Sequence, residues 1–325
     1  MAKLKVGVIG TGHLGRIHTM LWSKNKDIDF VGIYDSNLSR AEEIGKEFNC
    51  NYYSELNEMI ENCDAFTISS PTITHYEVSK ILLENNKHCL IEKPITATYS
   101  EAEKLIKLAK EKDLIVQVGH VERFNPAIAA IRNQEIAPLF IEAHRLSQFR
   151  PRAIDVSVIH DLMIHDIDIV LSLIKSKVSR IDANGVAVLT DTPDICNARL
   201  TFENGAVANL TASRISANQM RKMRIFQNNS YISLDFAKPD VEIYKIYETG
   251  NEPENYKPTT MLGSIESGLK NKNIYFEKPD IPEINAIYEE HISFVDSILN
   301  KKNIMVTASE AAEALRIAEE ISKLI

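Results

Sequence analysis

Cysteine is scarce in this chain of 325 residues, and its few occurrences are isolated. They are Cys50, Cys63, Cys89 and Cys196, and no two form a C-x-x-C pair. This spacing predicts neither a zinc site nor a disulfide framework, and it favours reduced thiols. Apolar runs are short, since none approaches the roughly 20 residues that a membrane-spanning helix needs. The first strand pattern begins almost at the N-terminus, so we expect no signal peptide and a cytoplasmic protein without a membrane partner.

An excess of positive charge is also missing. Asp and Glu number 45 against 37 for Lys and Arg, which gives a formal net charge of −8. No basic stretch is interleaved with aromatic residues, so the sequence predicts no nucleic-acid partner. The remaining composition, 44% hydrophobic and 25% charged, is typical of a globular protein, and the length suffices for two domains.

Short apolar runs alternate with helical patterns over residues 1–120. The alternation predicts an α/β domain with a doubly wound parallel sheet of the Rossmann type. Residues 121–325 change to helices and then to consecutive strands with short turns, which predicts an α+β domain with an antiparallel sheet. Residues 249–281 contain few hydrophobics, and we expect a long surface excursion there, either a lid or a subunit contact. The final helices, near 282–300 and 308–325, are expected to pack back on the first domain.

A G-x-G-x-x-G pattern follows the first apolar run. Gly10 permits a tight turn, Gly12 leaves room for a pyrophosphate to reach backbone N–H groups, and Gly15 lets helix and strand pack closely. The predicted dinucleotide contacts in this turn are Gly10, Thr11, Gly12, His13, Leu14 and Gly15. The motif alone is weak, but the flanking strand, helix and second strand support a dinucleotide-binding site.

Asp35 ends the second strand pattern, 20 residues beyond Gly15. Its carboxylate can accept both hydroxyls of an adenosine ribose, whereas a 2′-phosphate would meet like charge. No cation follows before Arg40, although Arg40 and nearby hydroxyls could still form a phosphate pocket. The sequence therefore favours NAD over NADP. A helix-capping role for Asp35 fits less well, because Ser36 or Asn37 is better placed as the cap.

Two segments contain side chains that could move a proton in a dehydrogenation. The first is Glu92-Lys93-Pro94, where a cation follows a strand; spacing alone also fits an exposed lysine beside a turn. The second is an apolar helix pattern over residues 158–174, in which Asp161 and His165 stand at i and i+4 and share one face. The many apolar neighbours leave little room for a wholly solvated face, so we expect these groups to line a cleft.

The same helix pattern offers four potential metal ligands, which are His160, Asp161, His165 and Asp166. The two histidines lie five residues apart and diverge on a helix, unlike the four-residue spacing of helical zinc pairs. The sequence therefore predicts no metal.

Together these motifs resemble those of the glucose-fructose oxidoreductase, inositol dehydrogenase and MocA family (Gfo/Idh/MocA). The shared pieces, in the family's order and spacing, are G-T-G-H-L-G at 10–15, Ser69-Ser70-Pro71-Thr72 followed by His75, Glu92-Lys93-Pro94, and D-x-x-x-H at 161 and 165. The resemblance covers nearly the whole chain and implies an NAD(P)-dependent dehydrogenase that acts on CH–OH groups. It also implies that the second domain has an open, mostly antiparallel sheet through which a homodimer or homotetramer forms.

The resemblance implies particular roles for the motif residues. Lys93 would lie near the substrate hydroxyl and the nicotinamide, His165 would be the general acid/base, and Asp161 would orient the substrate or tune the histidine. The implied cofactor contacts beyond the glycine-rich turn are Asp35, Ser69, Ser70, Pro71, His75, Glu92 and Lys93. The Lys93–Pro94 bond is expected to be cis. One departure is Val156-Ser157-Val158-Ile159, where many members have two glycines, and this bulk suggests a narrower substrate subgroup.

Two further segments, 118–126 and 148–155, resemble members that oxidise the 3-hydroxyl of UDP-linked amino sugars such as UDP-N-acetylglucosamine. The predicted substrate contacts are Arg123, Asn125, Arg150, Arg152 and Asp161, with Arg145, Arg214 and Arg224 in reserve. Arginine forks suit a diphosphate, although ordinary surface arginines would leave the same pattern.

Three other functions stay open. A dehydrogenase of a free sugar or an inositol-like polyol would need fewer cations. An NAD-dependent glycosidase would use transient oxidation, as some relatives do. A non-catalytic NAD-binding regulator would be expected to lose the lysine, aspartate or histidine, and all three are present here.

Overall fold

The computed structural model describes residues 3–149, 156–251, 260–267 and 270–325. The chain divides into two compact units. The first contains the residues up to Val121 together with Asn285–Glu319, and the second contains Glu122–Ile284 together with Glu320–Ile325. Among the described helices, none is both long and apolar enough to cross a membrane.

A six-stranded parallel sheet forms the centre of the described part of the first unit, in the order β3-β2-β1-β4-β5-β6. The strands are β1 (Leu4–Ile9), β2 (Ile28–Tyr34), β3 (Tyr52–Tyr53), β4 (Ala65–Ile68), β5 (His88–Glu92) and β6 (Val116–Gly119). The intervening helices are α1 (His13–Lys24), α2 (Leu38–Phe48), α3 (Leu56–Asn62), α4 (Thr72–Glu84) and α5 (Tyr99–Glu111). The strand order reverses between β1 and β4, so the loops after these two strands diverge and leave a crevice where ligands of such sheets bind.

The C-terminal helices α8 (Ala286–Leu299) and α9 (Ala308–Lys323) follow the second unit in the chain, yet α8 and most of α9 belong to the first. Phe294 and Val295 of α8 join Leu4, Val6 and Trp22 in one buried hydrophobic cluster. Burying a large apolar side chain is worth about 1.5–3 kcal/mol, so α8 supplies part of the core of the first unit.

A nine-stranded sheet spans the described part of the second unit, in the order β14-β15-β13-β12-β11-β7-β10-β9-β8. The strands are β7 (Phe140–Leu146), β8 (Val178–Val186), β9 (Ile195–Phe202), β10 (Val207–Ser213), β11 (Met220–Gln227), β12 (Ser230–Asp235), β13 (Asp240–Glu248), β14 (Thr260–Ser267) and β15 (Lys270–Glu277). The β7–β10 pair is parallel, and the other pairs are antiparallel. The predicted fold class, a parallel Rossmann sheet followed by a mostly antiparallel open sheet, is therefore confirmed.

The two faces of the second sheet differ. Helices α6 (Pro126–Ile131) and α7 (Ile164–Leu173) pack on one face, where alternate strand residues are buried. The other face holds a row of half-exposed aromatic side chains with neighbouring ring centroids 5.0–5.9 Å apart. The row consists of Phe140, Phe226, Tyr231, Tyr244 and Phe276, and we call it the aromatic row.

The expectation for residues 249–281 is wrong where the structure describes them. Strands β14 and β15 lie within that range and extend the sheet from β13, rather than forming an irregular surface excursion. Strands at or next to a sheet edge pair through their backbone and tolerate polar side chains, so the low hydrophobicity of β14 and β15 concealed them. Asn273 of β15 is buried and accepts a hydrogen bond from the Ser264 hydroxyl of β14 at 2.8 Å.

Candidate active site

The glycine-rich turn links β1 to α1 at the carboxyl end of the first sheet. Gly10 has a φ of +87°, and a Cβ there would lie 2.5 Å from the Ser70 backbone nitrogen. A Cβ on Gly15 would collide with the Gly10 carbonyl oxygen, whereas one on Gly12 would enter open space. No side chain caps the N-terminus of α1, and its first turn holds no acidic residue. The turn therefore presents backbone N–H groups beside open space, as a pyrophosphate requires.

Asp35 faces this turn from the end of β2. Its Oδ2 accepts hydrogen bonds from the Thr11 backbone N–H at 2.7 Å and from the Thr11 hydroxyl at 2.9 Å. The cap of α2 is Asn37, whose side chain accepts from the Arg40 N–H. The Arg40 guanidinium also contacts the Thr11 carbonyl at 3.3 Å and Glu43 at 2.6 Å. Asp35 is thus held by neutral donors beside the turn, and Arg40 lies close to the same loop.

The loop after β4 is tied to the turn and to the loop after β5. The Ser69 hydroxyl donates to the Gly10 carbonyl at 2.8 Å, and the Ser70 hydroxyl lies 2.7 Å from that of Thr74. The buried His75 ring lies 2.9 Å from two carbonyl oxygens, those of Ser70 and Pro94. Burial lowers the pKa of His75, and these carbonyl contacts oppose the shift. His75 therefore joins two of the loops that are predicted to contact the cofactor.

The loop after β5 begins with Glu92-Lys93-Pro94. The Lys93–Pro94 peptide bond is cis, as the resemblance implied. The Glu92 carboxylate bonds His18 Nε2 through Oε1 at 2.9 Å and accepts the Lys93 backbone N–H through Oε2 at 3.1 Å. Burial raises the pKa of Glu92, but the hydrogen bonds and charges of His18 and Lys93 together outweigh this and hold it below its ordinary value. Glu92 is therefore an internal support of the lysine segment rather than an exposed acid.

These loops together satisfy what a nicotinamide dinucleotide needs. All four follow parallel strands at the same edge of the sheet, and the crevice between β1 and β4 opens beside Gly12. Backbone N–H groups of α1 suit the pyrophosphate, and Asp35 suits the ribose. When bound, the nicotinamide ring would supply the hydride acceptor or donor.

In the second unit, Asp161 and His165 lie on a helix that begins with a wide turn. Residues Ile159–Met163 form a π-helical segment that continues directly into α7. The expectation of a regular α-helix over 158–174 is corrected here, because the π turn places more residues in each turn. Asp161 and His165 are both half-buried and remain four residues apart at the junction. Such π turns occur often at functional sites.

Asp166 and Asp168, one and three residues after His165, are buried. Asp166 accepts two hydrogen bonds from Arg145, at 2.8 and 3.0 Å, and Arg145 also donates to Glu122 at 2.7 Å. All three are buried. Burial lowers the pKa of Arg145, but the two carboxylates outweigh this and raise it above its ordinary value. The helix is thus anchored by permanent charge on one side, while Asp161 and His165 remain half-exposed.

The predicted substrate arginines divide into three groups. Arg123 donates to the buried Asp168 at 2.8 Å, and Arg145 is held as described above. Arg214 donates to the Val156 carbonyl at 2.8 Å and pairs with the buried Asp194 at 3.1 Å. Arg224 pairs with Glu142 on the face of the aromatic row. Arg150 and Arg152 lie outside the described residues. Arg145 therefore supports helix α7, and Arg214 supports the residues that precede this helix.

Asn125 is buried, and its side chain is committed within the second unit. It caps α6 by accepting from the Ala127 N–H, and it donates to Glu122 at 2.9 Å and to the Phe236 carbonyl at 3.2 Å. A substrate role for Asn125 and Arg123 stays a prediction.

Sequence reasoning did not identify His18 as a partner of Glu92. His18 is on the buried side of α1, four residues before Trp22, and a polar residue in that apolar stripe was the available signal. Its second nitrogen lies 2.7 Å from His291 of α8, a pairing between residues 273 apart in the chain. Only the fold brings these side chains together.

Comparison with known proteins agrees with this architecture. Residues 4–120 match the model of the oxidoreductase family with an NAD-binding Rossmann fold, and residues 131–232 match the GFO/IDH/MocA C-terminal domain. The UDP-N-acetylglucosamine 3-dehydrogenase of Acidithiobacillus ferrooxidans is 40% identical over 75% of this chain and 78% of its own. A crystal structure of that organism's enzyme superposes with a TM-score of 0.88 at 33% identity, covering 100% of this chain and 98% of the other. The scyllo-inositol 2-dehydrogenase of Bacillus subtilis is 28% identical over 66% and 68% of the two chains.

Proposed function

Because this chain belongs to the Gfo/Idh/MocA oxidoreductase family, we propose that it oxidises the 3-hydroxyl of a UDP-linked amino sugar resembling UDP-N-acetylglucosamine, with NAD as the hydride acceptor. The observation that carries the substrate assignment is the 40% identity to an enzyme named for this reaction. The geometry supports a dehydrogenase, since Lys93 follows a strand at the cofactor edge and Asp161 and His165 stay half-exposed on an anchored helix.

The proposed reaction breaks the C3–H and O–H bonds of the sugar and forms a ketone. The carbon-bound hydrogen leaves with its electron pair to the oxidised nicotinamide. His165 accepts the hydroxyl proton as general base, Lys93 stabilises the developing oxyanion, and Asp161 orients the hydroxyl or the imidazole. Arg150 and Arg152 are proposed to hold the diphosphate, because Arg145 and Arg214 are engaged in internal ion pairs.

NAD rather than NADP is the proposed cofactor. The support is Asp35, whose carboxylate is oriented by Thr11 beside the turn and would repel a 2′-phosphate. Arg40 is the nearby cation that could favour NADP, and it is engaged by Glu43. The cytoplasmic location stays a prediction.

We propose that a second copy of this chain covers the aromatic row, giving a homodimer or, with a further interface, a homotetramer. Five half-exposed aromatic rings in line form an apolar surface of the kind that homomeric interfaces bury. Light scattering coupled to size exclusion tests this, with Phe226→Glu expected to lower the mass to that of a monomer. Met261→Glu, on the edge strand β14, is the matched control.

A second substrate class, free sugars or polyols, is favoured by the 28% identical inositol dehydrogenase. The deciding experiment incubates the purified enzyme with NAD and, separately, UDP-N-acetylglucosamine, free N-acetylglucosamine or an inositol. Hydroxylamine is included to trap the ketone, and formation of reduced nicotinamide is followed by absorbance. Reduction of NAD is expected with the UDP-sugar. A primary isotope effect with substrate deuterated at C3, and none with substrate deuterated at C4, would identify C3 as the carbon that is oxidised. Reduction of NAD with the inositol but not with the UDP-sugar would overturn the proposal. Release of sugar without net reduction of NAD would indicate a glycosidase.

A further inference from the structure

A cluster of four titratable side chains lies beneath the lysine segment inside the first unit. His18 comes from α1, Glu92 ends β5, and Glu290 and His291 lie on α8. The exposed fraction is 8% for Glu92 and 0% for the others. One side-chain nitrogen of His18 and one carboxylate oxygen each of Glu92 and Glu290 all lie within 4.8 Å of one another. Two buried carboxyl groups therefore face the same small region.

The two carboxyl groups have unequal surroundings. Glu92 has the His18 ring on one oxygen and the Lys93 N–H on the other. Both oxygens of Glu290 are buried without a hydrogen-bond partner among the described residues. A buried carboxylate without donors or a cation is strongly disfavoured, and a second carboxylate beside it adds repulsion. Burial raises the pKa of Glu290 well above its ordinary value, and the charge of Glu92 acts in the same direction.

The histidines help to show where the negative charge resides. Burial lowers the pKa of His291 well below its ordinary value, and His18 reinforces this, so the His291 ring is neutral. The ring stacks on Trp22 with centroids 3.8 Å apart. The contacts form one chain of hydrogen bonds, in which His291 Nε2 and His18 Nδ1 lie 2.7 Å apart and His18 Nε2–H donates to Glu92 at 2.9 Å. This chain ends on Glu92, which therefore holds the charge.

We propose that Glu290 is a neutral carboxylic acid whose O–H is directed at the Glu92 carboxylate, and that this acid–carboxylate pair positions Lys93 for the dehydrogenation. The role in catalysis rests on the proposed function, whereas the protonation state does not. Glu290 touches neither substrate nor cofactor in this proposal and is a positioning residue. It acts by keeping one negative charge on Glu92, whose second oxygen holds the backbone N–H of Lys93.

Infrared difference spectroscopy tests the protonation state without any substrate. The spectrum of the wild-type protein minus that of Glu290→Gln is expected to contain the C=O stretch of a protonated carboxyl group at neutral pH, where an ordinary glutamate is ionised. His18, Glu92 and His291 are the titratable groups of α1, β5 and α8 around it, so the band is also followed as the pH is raised. Glu289→Gln, one residue earlier on α8, is the matched control and should show no such band at neutral pH. Absence of the band in the Glu290→Gln difference would overturn the proposal.

Kinetics then tests the positioning role. Glu290→Gln keeps a neutral donor and should leave kcat within about twofold of wild type, whereas Glu290→Ala should lower kcat about tenfold with little change in KM. Thermal unfolding of both variants separates this from a general loss of structure. Equal loss of kcat in the two variants would contradict the neutral-donor role.

The alternative is that His18, Glu92 and Glu290 together hold a divalent cation. Metal analysis of the purified protein tests this. One equivalent of metal in the wild type, lost in Glu290→Gln, would overturn the proposal in favour of a metal site.

Discussion

The two units compensate their buried carboxylates by different means. In the second unit, Asp166 and Glu122 share the guanidinium of Arg145, and Asp168 takes Arg123. In the first unit, Glu92 takes an imidazole and a backbone N–H, and Glu290 lies beside it. Guanidinium groups keep their charge at every accessible pH, whereas imidazoles and carboxyl groups exchange protons. The second unit is thus held by fixed charge, and the first keeps exchangeable protons next to the lysine.

The largest expected effect is the loss of turnover when His165, on the half-exposed side of α7, is replaced. His165→Ala is expected to lower kcat by about 10²–10⁴-fold because it removes the proposed general base. NAD affinity should change little, and steady-state kinetics with separate cofactor titration measures both. His160→Gln, on the π turn, is the control and should retain most activity. Unchanged turnover in His165→Ala would remove His165 from the mechanism.

Arg145→Met tests how much the buried ion pairs of Arg145 stabilise the second unit. The substitution leaves Asp166 and Glu122 buried without their shared cation, so the free energy of unfolding should fall by about 3–5 kcal/mol. Arg224→Met, which breaks the half-exposed pair with Glu142, should cost less than about 1 kcal/mol. Urea unfolding compares the two variants. Equal losses would show that burial of the guanidinium adds nothing to the stability of the second unit.

Asp194 is compensated both by a guanidinium group, that of Arg214, and by backbone N–H groups. Burial raises the pKa of Asp194, but the N–H groups of Val188, Leu189 and Thr190 outweigh this and lower it to about 2. The folded pKa lies below the unfolded one, so the stabilisation is present above about pH 4 and is lost as the pH falls towards 2. Asp194→Asn should therefore lower the free energy of unfolding at neutral pH by about 2 kcal/mol, and the difference from wild type should shrink in acid.

Urea unfolding at several pH values measures this difference, and Asp191→Asn, on the same loop but exposed, is the control. A difference that stays constant down to about pH 2 would contradict the assignment of the low pKa to Asp194.

The smallest expected effect concerns Asp35, a carboxylate of the first unit that accepts hydrogen bonds from the N–H and hydroxyl of Thr11. Asp35→Ser should lower kcat/KM for NAD about tenfold and narrow the preference over NADP, because the ribose hydroxyls lose their acceptor. Asp29→Ser, on the same strand and exposed, is the control. An unchanged ratio of the two cofactors would mean that Asp35 does not select between them.

Much of the first unit could be predicted because its signals are local. A strand, the glycine-rich turn, a helix and Asp35 lie within 35 residues, and the spacing of the three glycines is visible in the sequence. The helix with Asp161 and His165 was found from its apolar pattern, but its π turn was not. Periodicity over five residues does not separate the two helix types.

The buried charge pairs depend on contacts between distant segments. Arg145 was predicted to be available for substrate, yet Asp166 and Glu122 hold it from segments 21 and 23 residues away. Sequence reasoning treats an arginine as exposed by default, because burial of a charge depends on partners that only the fold supplies. The edge strand β14 and its neighbour β15 were missed for a related reason, since backbone pairing leaves little trace in side-chain composition.

The place of α8 in the chain has a consequence for biosynthesis. Phe294 and Val295 complete a hydrophobic cluster that begins with Leu4 and Val6, so the nucleotide-binding half cannot finish its core when its own sheet has emerged from the ribosome. At about 5–20 residues per second, the intervening second unit delays α8 by roughly 10–30 s. During that interval the nascent sheet exposes apolar surface that chaperones can bind. Because α8 also carries Glu290 and His291, a chain truncated before this helix lacks the groups beneath its lysine.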